Sequence, residues 1–507
     1  MLERLRSLPQ IVILLGIGAL AMYLPAAHAL ALRQHDIGRP FFYSGTLFLI
    51  LALLLALASA SNTRGHPARD QLLTLVAAFT LLPLVFAIPF NEAVPDTGLF
   101  NAWWEMVSAF TTTGGTLFAP ERLAPSLHLW RATVGWLGGF YMLVIAIAVL
   151  APMRLGGFEV FSSGGPGGAT TIVASRSEGS ADTMERLGHF VVELAPAYLG
   201  LTVLLWFCLL VAGDSAFVAL CHAMATLSTS GITPIAGGVA GAPSGIGGEL
   251  ILFFFLIPAL SRRLWPGGGE LRASDKLRHD PELWLAGALV ALVAAFLFVR
   301  HWIAALDVSG PAAVAPIVQS LWGSIFTALS FLTTTGFESS VWDEARNWSG
   351  LGTPGLILAG LAIVGGGVAT TAGGVRLLRV YALLRHGERE LDKLVHPASV
   401  AGGGATARRL RREGAYISWI FFMLFAFAIA AVMTIVSLGG LDFEPATVLT
   451  IAALSNTGPL AGVASDVPLS WAELSVFTKF VFAMTMVLGR LETLAIIALF
   501  NPEFWRG

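Results

Sequence analysis

Four short stretches combine hydroxyl side chains with a glycine: Phe110-Thr111-Thr112-Thr113-Gly114, Leu227-Ser228-Thr229-Ser230-Gly231, Leu332-Thr333-Thr334-Thr335-Gly336 and Leu454-Ser455-Asn456-Thr457-Gly458. Six residues before each glycine stands a small residue, Ser108, Ala225, Ser330 or Ala452, and the glycines follow one another at intervals of 117, 105 and 122. The chemistry open to such turns is that of ligands. A small cation crosses a membrane when something replaces its hydration shell, and rings of backbone carbonyls from four turns do this. Glycine allows positive φ, so successive carbonyls can be aimed at one axis, and the hydroxyls can bond to neighbouring backbone and hold the turns. A lone Thr-Thr-Gly is usually only a turn in a chain with 55 glycines. Four in register are an internal repeat.

The elements that must carry these turns follow from length and apolarity. A spanning helix needs roughly 20 apolar residues, and this test places ten spans, near 9–32, 41–61, 70–90, 130–152, 187–212, 243–260, 282–306, 352–375, 415–438 and 471–499. After spans three, five, seven and nine comes an apolar stretch too short to cross: Leu99–Phe110, Ala216–Leu227, Val318–Leu332 and Thr447–Leu454. A twelve-residue helix of this kind is about 18 Å long and stops partway through the hydrocarbon. Its C-terminal end, partially negative, then faces whatever cavity the turns enclose, which favours a cation. The expected fold is an all-α polytopic membrane protein of ten transmembrane helices. Four repeats of span, pore helix and span surround one pore, in segments 66–165, 166–275, 276–395 and 396–507, with two further spans in 1–65.

Composition agrees and excludes alternatives. Of 507 residues, 56% are hydrophobic and 12% charged, about half the charge of a soluble chain. A net charge of −2 leaves no basic stripe for nucleic acid. Cys208 and Cys221 lie in or beside apolar runs and imply no disulfide framework, and the ten histidines are scattered without ligand spacing. The first apolar run follows Arg4 and Arg6 but is too long for a cleaved signal and reads as a retained helix. With both termini in the cytoplasm, the inner segments hold 22 of the 30 lysines and arginines, the distribution the positive-inside rule requires.

The pattern resembles the Trk/Ktr/HKT superfamily of potassium transporters, most of all its bacterial TrkH branch. The resemblance covers nearly the whole chain. It rests on Trp130-Arg131 followed by Gly135-Trp136-Leu137-Gly138-Gly139, the four turns, Gly365-Gly366-Gly367 through Thr370-Thr371-Ala372-Gly373-Gly374, Gly489-Arg490-Leu491-Glu492, and the closing Asn501-Pro502-Glu503-Phe504-Trp505-Arg506. It implies potassium uptake through a gated filter, potassium being the substrate and no cofactor being bound covalently. The filter would be built from the carbonyls of Thr112, Thr113 and Gly114, Thr229, Ser230 and Gly231, Thr334, Thr335 and Gly336, and Asn456, Thr457 and Gly458. It further implies a homodimer with one pore per protomer in the inner membrane, and a cytosolic nucleotide-binding partner of the RCK type. Sodium-preferring plant members carry serine at the first filter glycine; Gly114 favours potassium. The chain departs from the pattern in two turns, which read Asn-Thr-Gly-Pro-Leu at 456–460 without a second glycine and Ser-Thr-Ser-Gly-Ile at 228–232.

Charges within the spans are few. Arg490 sits well inside span ten and is expected to face the pore below the filter, because a buried arginine is costly and seldom idle. In the family the matching arginine obstructs the conduction path. Glu492, two residues on, points to a different face. Lys479 can pack or snorkel, and Arg131 reads as an anchor at the outer boundary. Span eight carries Gly365, Gly366, Gly367, Thr370, Thr371, Ala372, Gly373 and Gly374, a density that weakens a helix by about 1 kcal/mol per glycine. Close helix packing would explain those glycines. A broken, mobile segment under the filter, with Arg490 beside it, is the reading the family favours. The loop Gly164-Gly165-Pro166-Gly167-Gly168 lacks the lysine and strand of a phosphate cradle, Asn347-Trp348-Ser349 is an outer-loop sequon, and Arg408, Arg409, Arg411 and Arg412 suit anionic lipid or a cytosolic partner. The alternative function is a secondary transporter that couples potassium or sodium to protons by alternating access, although such proteins usually have two inverted repeats. An enzyme would need paired acids, metal ligands or a Ser/His couple in the spans, and none is present.

The charge asymmetry yields a direct test. Single cysteines at positions Asn62 and Gly404 should label only from the cytoplasmic side and one at Asp466 only from outside; outside labelling at Gly404 would invert the topology.

Overall fold

A computed structural model describes residues 9–59, 67–151, 153, 157–160, 180–266, 277, 280–306, 314–342, 355–396, 412–465 and 467–491. The glycine loop at 164–168, the sequon at 347–349, the basic residues 408–411, the three cysteine positions and Glu492 onward lie outside them. All regular structure among the described residues is helical. Each repeat gives a long helix, a half-length helix and a second span. These are α4 (Pro67–Ala93), α5 (Leu99–Phe110) and α6 (Pro125–Ile145); α7 (Ser180–Ala212), α8 (Ala216–Ser228) and α9 (Gly245–Leu256); α10 (Pro281–Leu306), α11 (Val314–Leu332) and α12 (Gly355–Val364); and α14 (Arg412–Leu438), α15 (Phe443–Leu454) and α16 (Val476–Leu491). Between α12 and α14 runs a charged helix, α13 (Leu377–Val395). Ahead of the repeats stand α1 (Gln10–Ala21), α2 (Tyr23–Ala31) and α3 (His35–Ser59).

Among the described residues seven helices are long and apolar enough to cross a membrane, and their outward faces carry leucine and phenylalanine in quantity, as at Leu47, Leu57 and Phe207. The chain is a multi-pass membrane protein. Of the ten expected spans, those near 243–260, 352–375 and 471–499 are shorter helices over the described residues. Span eight is helical for only ten residues, to Val364, and the backbone then runs irregularly to Arg376, which is the break expected at 365–374. The glycines cause this, since Gly365 and Gly374 take φ of +73° and +78°, values closed to a helix. The half-helices α11 and α15 also begin four residues earlier than the runs read from the sequence, at Val314 and Phe443.

The N-terminal helices pack on the first repeat around an aromatic cluster. Trp130 of α6 meets Phe41 of α3 at 5.5 Å and Phe86 of α4 at 5.6 Å, and Phe110, at the end of α5, meets Phe79 and Phe86. Small residues set the helix spacing where half-helices end. A Cβ on Gly138 would lie 2.0 Å from the Phe110 carbonyl oxygen, one on Gly139 would lie 2.7 Å from Ser228, and one on Gly489 would lie 2.2 Å from the Leu454 carbonyl. The Gly135–Gly139 and Gly489–Arg490 motifs are therefore contact points for the ends of α5, α8 and α15.

Two buried carboxylates brace the half-helices. Glu105 of α5 pairs with Arg131 of α6 at 2.6 Å, with side chains 1% and 4% exposed, and its other oxygen accepts the Leu117 N–H at 3.0 Å. Arg131 is thus the structural anchor expected of it. Glu249 of α9, fully buried, accepts from the Ser340 N–H (2.6 Å), the Ser339 hydroxyl (2.6 Å) and the Trp322 indole (3.0 Å). Each carboxylate holds the chain that leaves a turn, after the first and third glycines respectively. Removing one member of such a pair strands the other without a counter-charge, which costs about 3–5 kcal/mol. Glu105→Ala and Arg131→Met should each lower the thermal midpoint of the detergent-solubilised protein sharply, and the double substitution should recover part of the loss; midpoints that simply add would show that the two side chains do not act as a pair.

Candidate functional site

Each half-helix closes with the same backbone device. In the first turn the Thr112 N–H donates to the Ala109 carbonyl (2.9 Å) and the Thr113 N–H to the Ser108 carbonyl (2.9 Å). The same pair of bonds recurs from Thr229 and Ser230, Thr334 and Thr335, and Asn456 and Thr457, at 2.8–3.3 Å. This is the Schellman closure, which requires one left-handed residue. Those residues are Thr112 (φ +55°), Thr229 (+52°), Thr334 (+58°) and Asn456 (+55°). A β-branched residue held there stores about 1–3 kcal/mol of strain. The small residue six before each glycine is the acceptor of the longer bond, so it lies under the turn with little room above it. In repeats one and three it is serine, and its hydroxyl binds the backbone beyond the glycine: Ser108 donates to the Gly115 carbonyl and Ser330 accepts the Phe337 N–H, both at 2.6 Å.

Hydroxyls on either side of the left-handed residue meet each other in every turn. Thr111 and Thr113 are 2.8 Å apart, Ser228 and Ser230 3.0 Å, Thr333 and Thr335 3.1 Å, and Ser455 and Thr457 3.1 Å. Thr111, Ser228, Thr333 and Ser455 were not among the sequence candidates; their signal is the hydroxyl two residues before a second hydroxyl in all four turns.

The four turns close into a ring, each glycine pressed against the next turn. A Cβ on Gly114 would lie 1.8 Å from the Ser230 carbonyl oxygen, and one on Gly231 would lie 2.1 Å from that of Thr335. A Cβ on Gly336 would meet the Pro459 ring at 3.0 Å, and one on Gly458 would sit 2.7 Å from the Thr113 carbonyl and 2.2 Å from the Gly115 nitrogen. The sequence of contacts runs repeat one to two, two to three, three to four and four back to one. Gly114, Gly231 and Gly336 have positive φ as expected, at +75°, +65° and +79°. Gly458 does not, because the following Pro459 restricts its backbone; it is needed for closeness alone. Repeats four and one are also tied by hydrogen bonds. The Gly458 N–H donates to the Thr113 carbonyl (2.6 Å), and the Asn456 amide donates to the Thr113 hydroxyl (3.0 Å) and to the Met486 carbonyl (2.9 Å).

Residues 365–376 lie directly against this ring and are buried throughout. The Gly373 N–H donates to the Thr334 hydroxyl (2.7 Å), and a Cβ on Gly373 would lie 2.1 Å from the Ser455 carbonyl. Arg490, 1% exposed, donates to the Thr371 carbonyl (2.7 Å) and reaches that of Ala372 (3.5 Å). The loop closes on itself through Val375 and Arg376, whose N–H groups donate to the Ile363 and Val364 carbonyls (2.8 and 2.9 Å). Its far side is held by the Ala259 carbonyl, which accepts from the Gly367 N–H and the Thr370 hydroxyl, both at 3.0 Å, and by Glu282, which accepts the Val368 N–H at 2.7 Å.

The sequence candidates therefore come together: Gly365, Gly366, Gly367, Thr370, Thr371, Ala372, Gly373 and Gly374 form one loop, and Arg490 touches it. Arg376 and Arg379, which the sequence counts only among the basic residues of the inner segments, are 3% and 0% exposed. Arg376, at φ +89°, donates to the Gly367 and Ala372 carbonyls inside the loop, and Arg379 stacks on Phe421 with its guanidinium 3.6 Å from the ring centre. Two arginines three residues apart in the apolar stretch that follows Gly373-Gly374 were the available signal. Glu282 was also missed, although an acid at the mouth of an apolar span is a cue of the same kind. Lys479 packs, its ammonium donating to the Ala472 carbonyl at 2.9 Å.

Known proteins share this pattern. Residues 282–506 match the TrkH family, described as cation transport proteins. The chain is 28% identical over 489 residues to the Trk system potassium uptake protein TrkH of Salmonella typhimurium, covering 96% of each. It is 28% identical to TrkH of Vibrio parahaemolyticus over 99% of each, and 28% identical to TrkI of Halomonas elongata over 85% of this chain and 82% of that one. The crystal structure of the potassium transporter TrkH from Vibrio parahaemolyticus superposes over 100% of both chains, with a TM-score of 0.77 at 24% identity, and shares the fold. Over residues 282–506 the chain thus matches the TrkH family model, and over nearly its whole length it is similar to TrkH potassium uptake proteins.

Proposed function

We propose that the chain is a gated pathway for potassium uptake across the cell membrane, with the ion passing between the four turns and the 365–374 loop controlling the passage. The observation that carries the reading is the closed ring of four turns, each at the C-terminal end of a half-helix, with an irregular loop and a buried arginine directly behind it. Four helix ends converge their partial negative charge on one place, which suits a cation and repels an anion. Carbonyls of Thr112–Gly114, Thr229–Gly231, Thr334–Gly336 and Asn456–Gly458 are the ligands. Arg490 opposes the ion by its charge and holds the loop by its hydrogen bonds. The relatives named above are potassium uptake proteins, which gives potassium as the substrate. The protein works as a homodimer in the inner membrane with both termini in the cytoplasm, under an RCK-type cytosolic subunit.

Currents through the purified protein in bilayers test the reading. A reversal potential that follows the potassium gradient alone supports a channel, and one that shifts with pH supports proton coupling instead. Serine at Gly114, Gly231, Gly336 or Gly458 should lower potassium selectivity over sodium. Tenfold, or about 1.4 kcal/mol of relative affinity, is the expected scale at Gly114, where a Cβ has the least room. Gly336 should be the mildest, since it faces only the Pro459 ring. Unchanged flux ratios in all four would remove the filter assignment. Arg490→Ala, or a shortened 365–374 loop, should raise potassium flux and weaken control by the cytosolic subunit with selectivity kept. Wild-type transport in both, in folded and inserted protein, would place the gate elsewhere.

A further inference from the structure

The left-handed residues of the four turns are equivalent in backbone but not in what their side chains do. The Thr112 hydroxyl has no partner among the described residues, and that of Thr229 donates to its neighbour, the Ser228 carbonyl, at 2.7 Å. Asn456 ties the fourth turn to the first. The Thr334 hydroxyl instead accepts the backbone of another element, the Gly373 N–H, at 2.7 Å. The acceptor is fixed, because the left-handed backbone of Thr334 is locked by the closure of α11. The donor is equally confined, because Gly373 has no room for a Cβ beside the Ser455 carbonyl.

We infer that the Thr334 hydroxyl is the latch that keeps the 365–374 loop closed against the filter, an inference that rests on reading that loop as the gate. Two consecutive peptide groups are gripped, the second of them in opposite senses at its two ends. The Thr371 and Ala372 carbonyls accept from Arg490, and the next amide, Gly373, donates to Thr334. Arginine holds only acceptors, so it cannot hold the amide. Moving the loop away from the filter strips a buried N–H of its partner, which is costly unless water replaces it. The cost falls on the open state and favours the closed one. The latch needs an oxygen at this site and nothing more of the side chain. Serine keeps it and valine, of the same shape as threonine, removes it. The other three turns, lacking such a contact, leave the gate's grip on the filter confined to repeats three and four.

The test compares potassium uptake by T334V and T334S in proteoliposomes, each in the intact chain and in a chain with a shortened 365–374 loop. Direct effects of position 334 on the filter appear in both backgrounds and cancel in the comparison. In the intact chain, T334V is expected to conduct roughly threefold to tenfold more than T334S, the range set by one net hydrogen bond. In the shortened chain, where only the direct effect on the filter is left, the T334V-to-T334S ratio should be smaller by that same factor. G373A, which leaves Thr334 in place and pushes the amide off by contact with Ser455, should also raise uptake, so a T334V that fails to fold leaves a second route. Equal uptake by T334V and T334S in the intact chain, the same ratio in both backgrounds, or uptake by G373A at or below wild type would each overturn the latch. Those results would leave the gate standing if the shortened loop alone raises uptake. A shortened loop without that effect would overturn the gate and the latch with it.

Discussion

Backbone polar groups must find partners inside a membrane, and this chain ends four of its helices in buried turns. Every feature of the site answers that requirement. The last carbonyls of α5, α8, α11 and α15 are taken by amides from the following turn, which forces one residue per turn into the left-handed region. That residue re-aims the chain, and the glycine two positions later lets the re-aimed backbone touch its neighbour. The hydroxyl pairs across each left-handed residue and the serines beneath turns one and three satisfy what the backbone leaves over. The strain held in Thr112, Thr229 and Thr334 is sustained by this surrounding network. Alone, such a turn would relax.

The same requirement shapes the loop between α12 and α13. A helix broken at Val364 exposes carbonyls on one side and amides on the other. The loop returns two of its own amides to α12, takes the Ala259 carbonyl for Gly367, and offers its remaining carbonyls to Arg490 and Arg376. Cations hold acceptors and a carboxylate, Glu282, holds a donor. Buried charges here are thus hydrogen-bonding devices for an irregular backbone before they are anything else. Arg131 and Glu105, and Glu249 with its serines, perform the same service beyond the glycines.

Four similar repeats do not yield a fourfold object. Repeats one and four are joined by Asn456 and by an amide-to-carbonyl bond; repeats three and four receive the loop; repeat two has a buried histidine, His222, which meets Thr233 at 3.1 Å. The symmetric part is the backbone of the turns, and the asymmetric part is carried by side chains. That division is physically sensible: ligand geometry comes from the main chain, and control enters through the few positions where one repeat differs from the others.

Much of this was legible in the residues. The half-length apolar runs, ending at Phe110, Leu227, Leu332 and Leu454, located the ends of α5, α8, α11 and α15 to within one residue, because the glycine-bearing turn that follows each run departs from helical backbone. The repeat itself, the broken span at Gly365 and the singular Arg490 were equally plain, since each is a local departure from an apolar background. What no local rule contains is which turn leans on which. That Gly114 faces Ser230, that Gly458 faces Thr113, that Arg490 reaches Thr371 and that Thr334 receives Gly373 are contacts between residues tens to hundreds of positions apart. Composition and spacing determined a membrane chain with four filter-like turns, because solvent and backbone geometry act on each segment separately. The ring, its closure and the grip of the loop upon it were decided only by tertiary packing, because each depends on the space a neighbour leaves.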